Sequence, residues 1–125
     1  MRRPVHAPGG AAPKGPYSQG IATSGRLLFV AAQGPIDPQT GEVVAGTFEE
    51  QALRAFENVR AIVEAAGGRM ADMVRVTVYM PEWNMEALDA VWTRVFSPPY
   101  PVRTPVKAET PLGSILVEAT AALPG

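Results

Sequence analysis

Cysteine is absent from this 125-residue chain. Disulfides, thiolate zinc sites, iron–sulfur clusters and thiol nucleophiles are thereby excluded together. Histidine is nearly absent as well. His6 stands alone in a Pro- and Gly-rich stretch, where a solvated terminal residue is the ordinary reading. A Ser-His-Asp triad or a histidine-based metal site would have to be built from that terminus. An excess of basic charge is also missing: 11 Lys and Arg stand against 12 Asp and Glu, a net charge of −1. Nucleic acid is therefore not expected as a partner. No run approaches the ~20 apolar residues of a membrane span. Residues 1–10 are basic without an apolar stretch behind them, which does not read as a secretory signal. A cytoplasmic protein with no membrane partner is the expectation. Gly9-Gly10 precedes no phosphate-binding pattern. Chemistry is left to Arg, Lys, Tyr, Glu, Asp, backbone and water.

What is present suits one folded domain. Apolar residues make up 46% of the chain, and its length matches a single core. Residues 1–12 read as a flexible arm, and 13–125 as one domain. Two apolar runs, 21–23 and 27–32, flank Ser24-Gly25 and predict a short hairpin. Thr47 and Glu50 form a capping-box pattern ahead of a helix, whose apolar stripe includes Phe48, Ala52, Phe56, Val59 and Val63. Gly67-Gly68 ends that helix. Strict alternation over 73–80 predicts a half-buried strand. Asn84 can cap a second helix carrying Leu88, Val91, Trp92 and Val95, and Ser97-Pro98-Pro99 stops it. A final hairpin is expected from 103–109 and 115–122. The order is ββαβαββ, an α+β sheet with both helices on one face. One sheet face would stay uncovered, and Trp92 and Tyr79 suggest further surface to bury, so self-association is expected.

Few side chains can carry a reaction. Arg103 follows Pro101-Val102 at the expected start of a strand. Its guanidinium fork suits a two-point grip on a carboxylate or phosphate, although a surface arginine at a strand end would look the same. Glu118 interrupts a run of apolar and small residues. It is either a solvated edge residue or a partly buried carboxylate with a partner, the latter being suited to acid/base work. Tyr17 lies between Pro16 and Ser18-Gln19-Gly20, as a pocket wall or as plain packing at a strand entry. The only lysines are Lys14 and Lys107, and Lys14 looks too exposed for Schiff-base chemistry.

Several segments in order carry a resemblance. They are Gly15-Pro16-Tyr17-Ser18-Gln19, Gln33-x-Pro35 with Asp37-Pro38-x-Thr40-Gly41-Glu42, and Gln51-Ala52 through Asn58-Val59 to Glu64-Ala65-Ala66-Gly67. Val102-Arg103-Thr104 and Val117-Glu118 complete the set. Together they resemble the RidA (YjgF-type) family of reactive intermediate deaminases, often labelled L-PSP endoribonucleases. The resemblance implies a chorismate-mutase-like fold, a homotrimer with sites between subunits, and no cofactor or metal. It implies hydrolysis of 2-imino and enamine acids, such as 2-aminoacrylate, to 2-keto acids and ammonia. Arg103 would clamp the substrate carboxylate, Glu118 would position and activate water, and Tyr17 would line the cleft. Ala31, Ala32 and Pro105 would lie beside the substrate, and there the chain departs from the pattern. Ala31-Ala32 replaces Ser-Gly, and Pro105 stands where many members carry Cys. Two rival readings remain open: a non-catalytic trimer that binds keto acids, and a ribonuclease or translation inhibitor.

Overall fold

The computed structural model describes residues 2–125. Its elements are β1 (Arg2–Val5), β2 (Gly20–Thr23), β3 (Leu27–Gln33), α1 (Phe48–Ala65), β4 (Met73–Met80), α2 (Met85–Val95), β5 (Val102–Lys107) and β6 (Leu116–Ala122). A 3-10 turn, Met70–Asp72, leads into β4. The α+β class and the two expected helices are present.

Local chemistry accounts for the best-defined elements. The Thr47 hydroxyl accepts from the Glu50 amide, and the Glu50 carboxylate accepts from the Thr47 amide. Those paired bonds satisfy two amides that α1 would otherwise leave bare. They also hold the Glu50 carboxyl below its usual range. At the other end Gly67 takes φ +87, and the Gly67 and Gly68 amides reach back to the Glu64 and Val63 carbonyls. That is a Schellman stop, which glycine adopts without a Cβ penalty. Alternation makes β4 a strand as predicted.

Pairing between strands departs from the sequence expectation in two places. The segments 21–23 and 27–32 do not pair with each other: β2 pairs with β1, and β3 pairs with β6. Residues 2–5, taken from sequence as part of a flexible arm, are thus a strand. Arg2 anchors it, donating from Nε to the Met73 carbonyl at 2.7 Å and from Nη2 to the Pro99 carbonyl at 2.8 Å. The segments 103–109 and 115–122 form no hairpin either. β4 lies between β5 and β6, giving the order β3-β6-β4-β5. The connection through α2 makes β5 parallel to β4, as a helical crossover permits and a tight turn does not.

α1 and α2 cover one face of this sheet. Phe56, Val59 and Val63 from α1 and Leu88, Val91 and Trp92 from α2 bury against Val76, Val78, Val117 and Ala119. Phe56, Trp92 and Phe96 meet edge-on or tilted, with ring centroids 4.4–6.2 Å apart. Trp92 is fully buried here, so it is core rather than spare surface. The opposite face carries the uncovered aromatic: Phe29 is 74% exposed.

Candidate functional site

The side chains singled out from sequence fall into two groups, one on each face of the sheet. Arg103 lies on the edge strand β5, in register with Val76, and points toward the helices. Glu118 lies on β6 in register with Thr77, the next residue along β4. Successive residues of a strand point to opposite faces, so Arg103 and Glu118 diverge within one chain.

Arg103 is held in an aromatic bracket. Its side chain is 2% exposed, and its guanidinium carbon lies 5.6 Å from the Tyr17 ring centroid and 4.9 Å from that of Trp92. Both contacts are within cation–π reach. The Tyr17 segment is strapped in place: Trp92 Nε1 donates to the Pro16 carbonyl, and the Ser18 hydroxyl donates to the Tyr100 carbonyl. Gly15 permits the close approach, because a Cβ there would sit 3.1 Å from Arg103 Nη2. Arg103 Nη1 also lies 2.7 Å from Asp89 Oδ1 on α2. The two atoms are in ionic contact but off the hydrogen-bond line. Both remain buried without a hydrogen-bond partner, as does Arg103 Nε. Donors buried and unbonded in this way are costly unless an acceptor completes them. Pro105, two residues on, lies half-buried on an edge strand, where a missing amide is tolerated.

Glu118 belongs to a polar groove on the open face, lined by Phe29, Arg75, Thr77 and Thr120. Tyr79 donates its hydroxyl proton to Glu118 Oε1 at 2.6 Å. That bond to a carboxylate, with burial added, pushes the Tyr79 hydroxyl above its ordinary range, while Arg75 pulls the other way. Ala31 and Ala32 lie nearby in β3 and are exposed. They fall at a bulge, since Val30 pairs with Ala119 whereas Gln33 pairs with Val117. Such an insertion re-aims side chains at a strand end.

Tyr17, Trp92 and Arg103 are thus brought together, and Glu118, Tyr79 and the Ala31-Ala32 bulge form a second set. Sequence reasoning missed Asp89 as a partner of Arg103 and Tyr79 as a partner of Glu118. Asp89 left one sequence signal: it is a charge one helical turn before Trp92, beside buried Leu88. Tyr79 left none, because its meeting with Glu118 depends on the register between β4 and β6. Among the described residues no group of three or more His, Asp and Glu could hold a metal ion. Among the described residues no helix is long and apolar enough to cross a membrane.

Comparison with known proteins gives a consistent result. The family described as Endoribonuclease L-PSP matches residues 7–122. A RutC family protein of Pyrococcus abyssi is 43% identical over 110 residues, covering 87% of this chain and 86% of its own length. A 2-iminobutanoate/2-iminopropanoate deaminase of Dermatophagoides farinae is 34% identical over 106 residues, covering 84% of this chain and 82% of its own. Among solved structures, RidA from the Antarctic bacterium Psychrobacter sp. PAMC 21119 superposes with a TM-score of 0.73 at 31% identity. That alignment covers 97% of this chain and 99% of the other.

Proposed function

The chain belongs to the endoribonuclease L-PSP family, which includes the RidA proteins, and from that premise we propose that it hydrolyses small 2-imino acids to 2-keto acids and ammonia. The observation that carries this reading is Arg103, a buried guanidinium bracketed by Tyr17 and Trp92, whose Nε lacks a hydrogen-bond acceptor and whose Nη1 has only the off-line ionic contact with Asp89. A planar fork of that kind fits a carboxylate better than any other common ligand group. The related deaminase of Dermatophagoides farinae is named for 2-imino acids, which combine a carboxylate with an electrophilic carbon.

Imine hydrolysis asks little of a protein. Water adds to C2 of the C=N bond, and Glu118 takes the proton that the water loses. Glu118 returns that proton to the nitrogen, the carbinolamine hydroxyl gives up its own proton as the C–N bond breaks, and ammonia leaves a 2-keto acid behind. Arg103 supplies orientation and Tyr17 a wall, without cofactor or metal. Because Arg103 and Glu118 point to opposite faces of one chain, the reading needs a second copy: the clamp of one subunit meets the carboxylate of another. The cleft then forms between subunits of a homotrimer, the assembly we propose.

A non-catalytic binder of keto acids is the second reading, favoured by the same divergence of Arg103 from Glu118. Ribonuclease action ranks below both, since His6 is the only histidine and net charge is −1. Turnover of a freshly generated 2-imino acid by the wild type, Arg103→Ala and Glu118→Gln separates the readings. Loss of general-base help removes about 10²–10⁴ in kcat, so Glu118→Gln should slow hydrolysis by that order while still binding a 2-keto acid. Arg103→Ala should lose binding and turnover together. Unchanged rates in both variants would overturn the reading.

A further inference from the structure

We propose that Asp89 is a specificity-determining residue that sets this site to prefer a zwitterionic 2-imino acid over its anionic 2-keto product. The inference rests on the reading of Arg103 as a carboxylate clamp and goes beyond it. Asp89 Oδ1 already lies 2.7 Å from Arg103 Nη1, in a setting where the arginine side chain is 2% exposed. One arm of the fork is therefore neutralised before any ligand arrives. The contact is ionic only, since neither atom has a hydrogen-bond partner. It cancels charge without the strength of an aligned bond.

A small anion meets two opposing effects there. The free donors of Arg103 attract its carboxylate, while the Asp89 carboxylate repels it at close range. A 2-keto acid has nothing to offer Asp89. A protonated 2-imino acid carries a cationic nitrogen beside its carboxylate, and the Arg103–Asp89 pair matches that charge pattern with a cation for the anion and an anion for the cation. Substrate thus gains a partner that product lacks, which favours release of the keto acid after hydrolysis. Asp89 can play this part because its side chain is 37% exposed while Oδ1 is buried. One oxygen stays on Arg103, and the remainder of the group reaches toward solvent.

Calorimetry with two stable probes tests the idea on the full chain: 2-oxobutanoate as the anion and 2-aminobutanoate as the zwitterion. Asp89→Asn removes the charge at constant shape. It should tighten 2-oxobutanoate by roughly tenfold or more, the effect of about one charge-assisted contact, and should not tighten 2-aminobutanoate. Asp89→Ala should shift the ratio in the same direction, and melting curves show whether each variant is folded. Weaker or unchanged binding of 2-oxobutanoate by a folded Asp89→Asn would overturn the proposal, because Asp89 would then merely hold Arg103 in place. Arg103→Met distinguishes the deeper failure. If it binds 2-oxobutanoate as the wild type does, the clamp itself is wrong; if it loses binding while Asp89→Asn changes nothing, only the role of Asp89 is wrong.

Discussion

The two faces of the four-stranded sheet solve the same problem to different degrees. On one, α1 and α2 bring Phe56, Val59, Val91 and Trp92 down to 0–1% exposure. On the other, Phe29 keeps 74% of its surface, and a polar groove runs past Arg75, Thr77 and Glu118. Either face could have been apolar throughout, since both are made from alternating strands. The helix face is finished by its own chain. The open face mixes a large exposed ring with charges, and it is the face that the proposed assembly would cover. The proposed site divides along the same line, with its clamp behind the helices and its carboxylate on the open side.

The largest effect expected from this comparison is a recovery of activity. Arg103→Ala and Glu118→Gln should each be nearly inactive alone. Mixed as unfolded chains and refolded together, they should regain roughly a quarter of wild-type turnover, since the proposed cleft takes one intact arginine and one intact glutamate from different copies. No recovery would place both groups in a cleft of one chain and break the two-face account of the site.

Next come two phenylalanines of equal size. Phe56→Ala removes a ring from a sealed core and should cost the folded chain about 3–5 kcal/mol at any protein concentration. Phe29→Ala should cost far less to the isolated chain and act through assembly, so its melting temperature should fall more on dilution than the wild type's does. Equal, concentration-independent losses would make the open face part of an ordinary core.

The smallest expected effect is spectroscopic. The Tyr79 hydroxyl is raised above its usual range because its neutral form bonds to Glu118. Its contribution to stability is complete below the ordinary tyrosine range, about 10, and is lost as pH climbs through the raised value. An ultraviolet titration should show a late tyrosine step from Tyr79, and Glu118→Gln should bring that step to lower pH. A titration unchanged in Glu118→Gln would remove the Tyr79–Glu118 bond from solution.

Local signals in the sequence carried a good part of the fold. Thr47, Glu50 and Gly67 delimit α1 because caps act within a few residues. β4 was legible because alternation needs no partner to be read. Both hairpin expectations failed for the opposite reason. Pairing partners are chosen by the whole core, and neighbours in sequence lost β2 to β1, β3 to β6 and β5 to β4. The candidate site followed the same division. Arg103, Tyr17 and Glu118 stood out by residue type and family pattern. Asp89 and Tyr79 did not, since their contacts join elements that the sequence does not place side by side.

The strand order has a consequence for how the chain is made. β6, at 116–122, is not an edge addition: it lies between β3 and β4 and is the strand that β3 pairs with in this sheet. A ribosome releases residues from the N-terminus first, so β3 and β4 emerge long before the strand that joins them. Until then β3 has no partner strand in this sheet, and the pairing that supplies one spans some 90 residues of sequence. A chain cut short just before 116 would lose the middle of its sheet rather than its margin. Its failure should be complete misassembly and rapid clearance by quality control, not a slightly weakened fold.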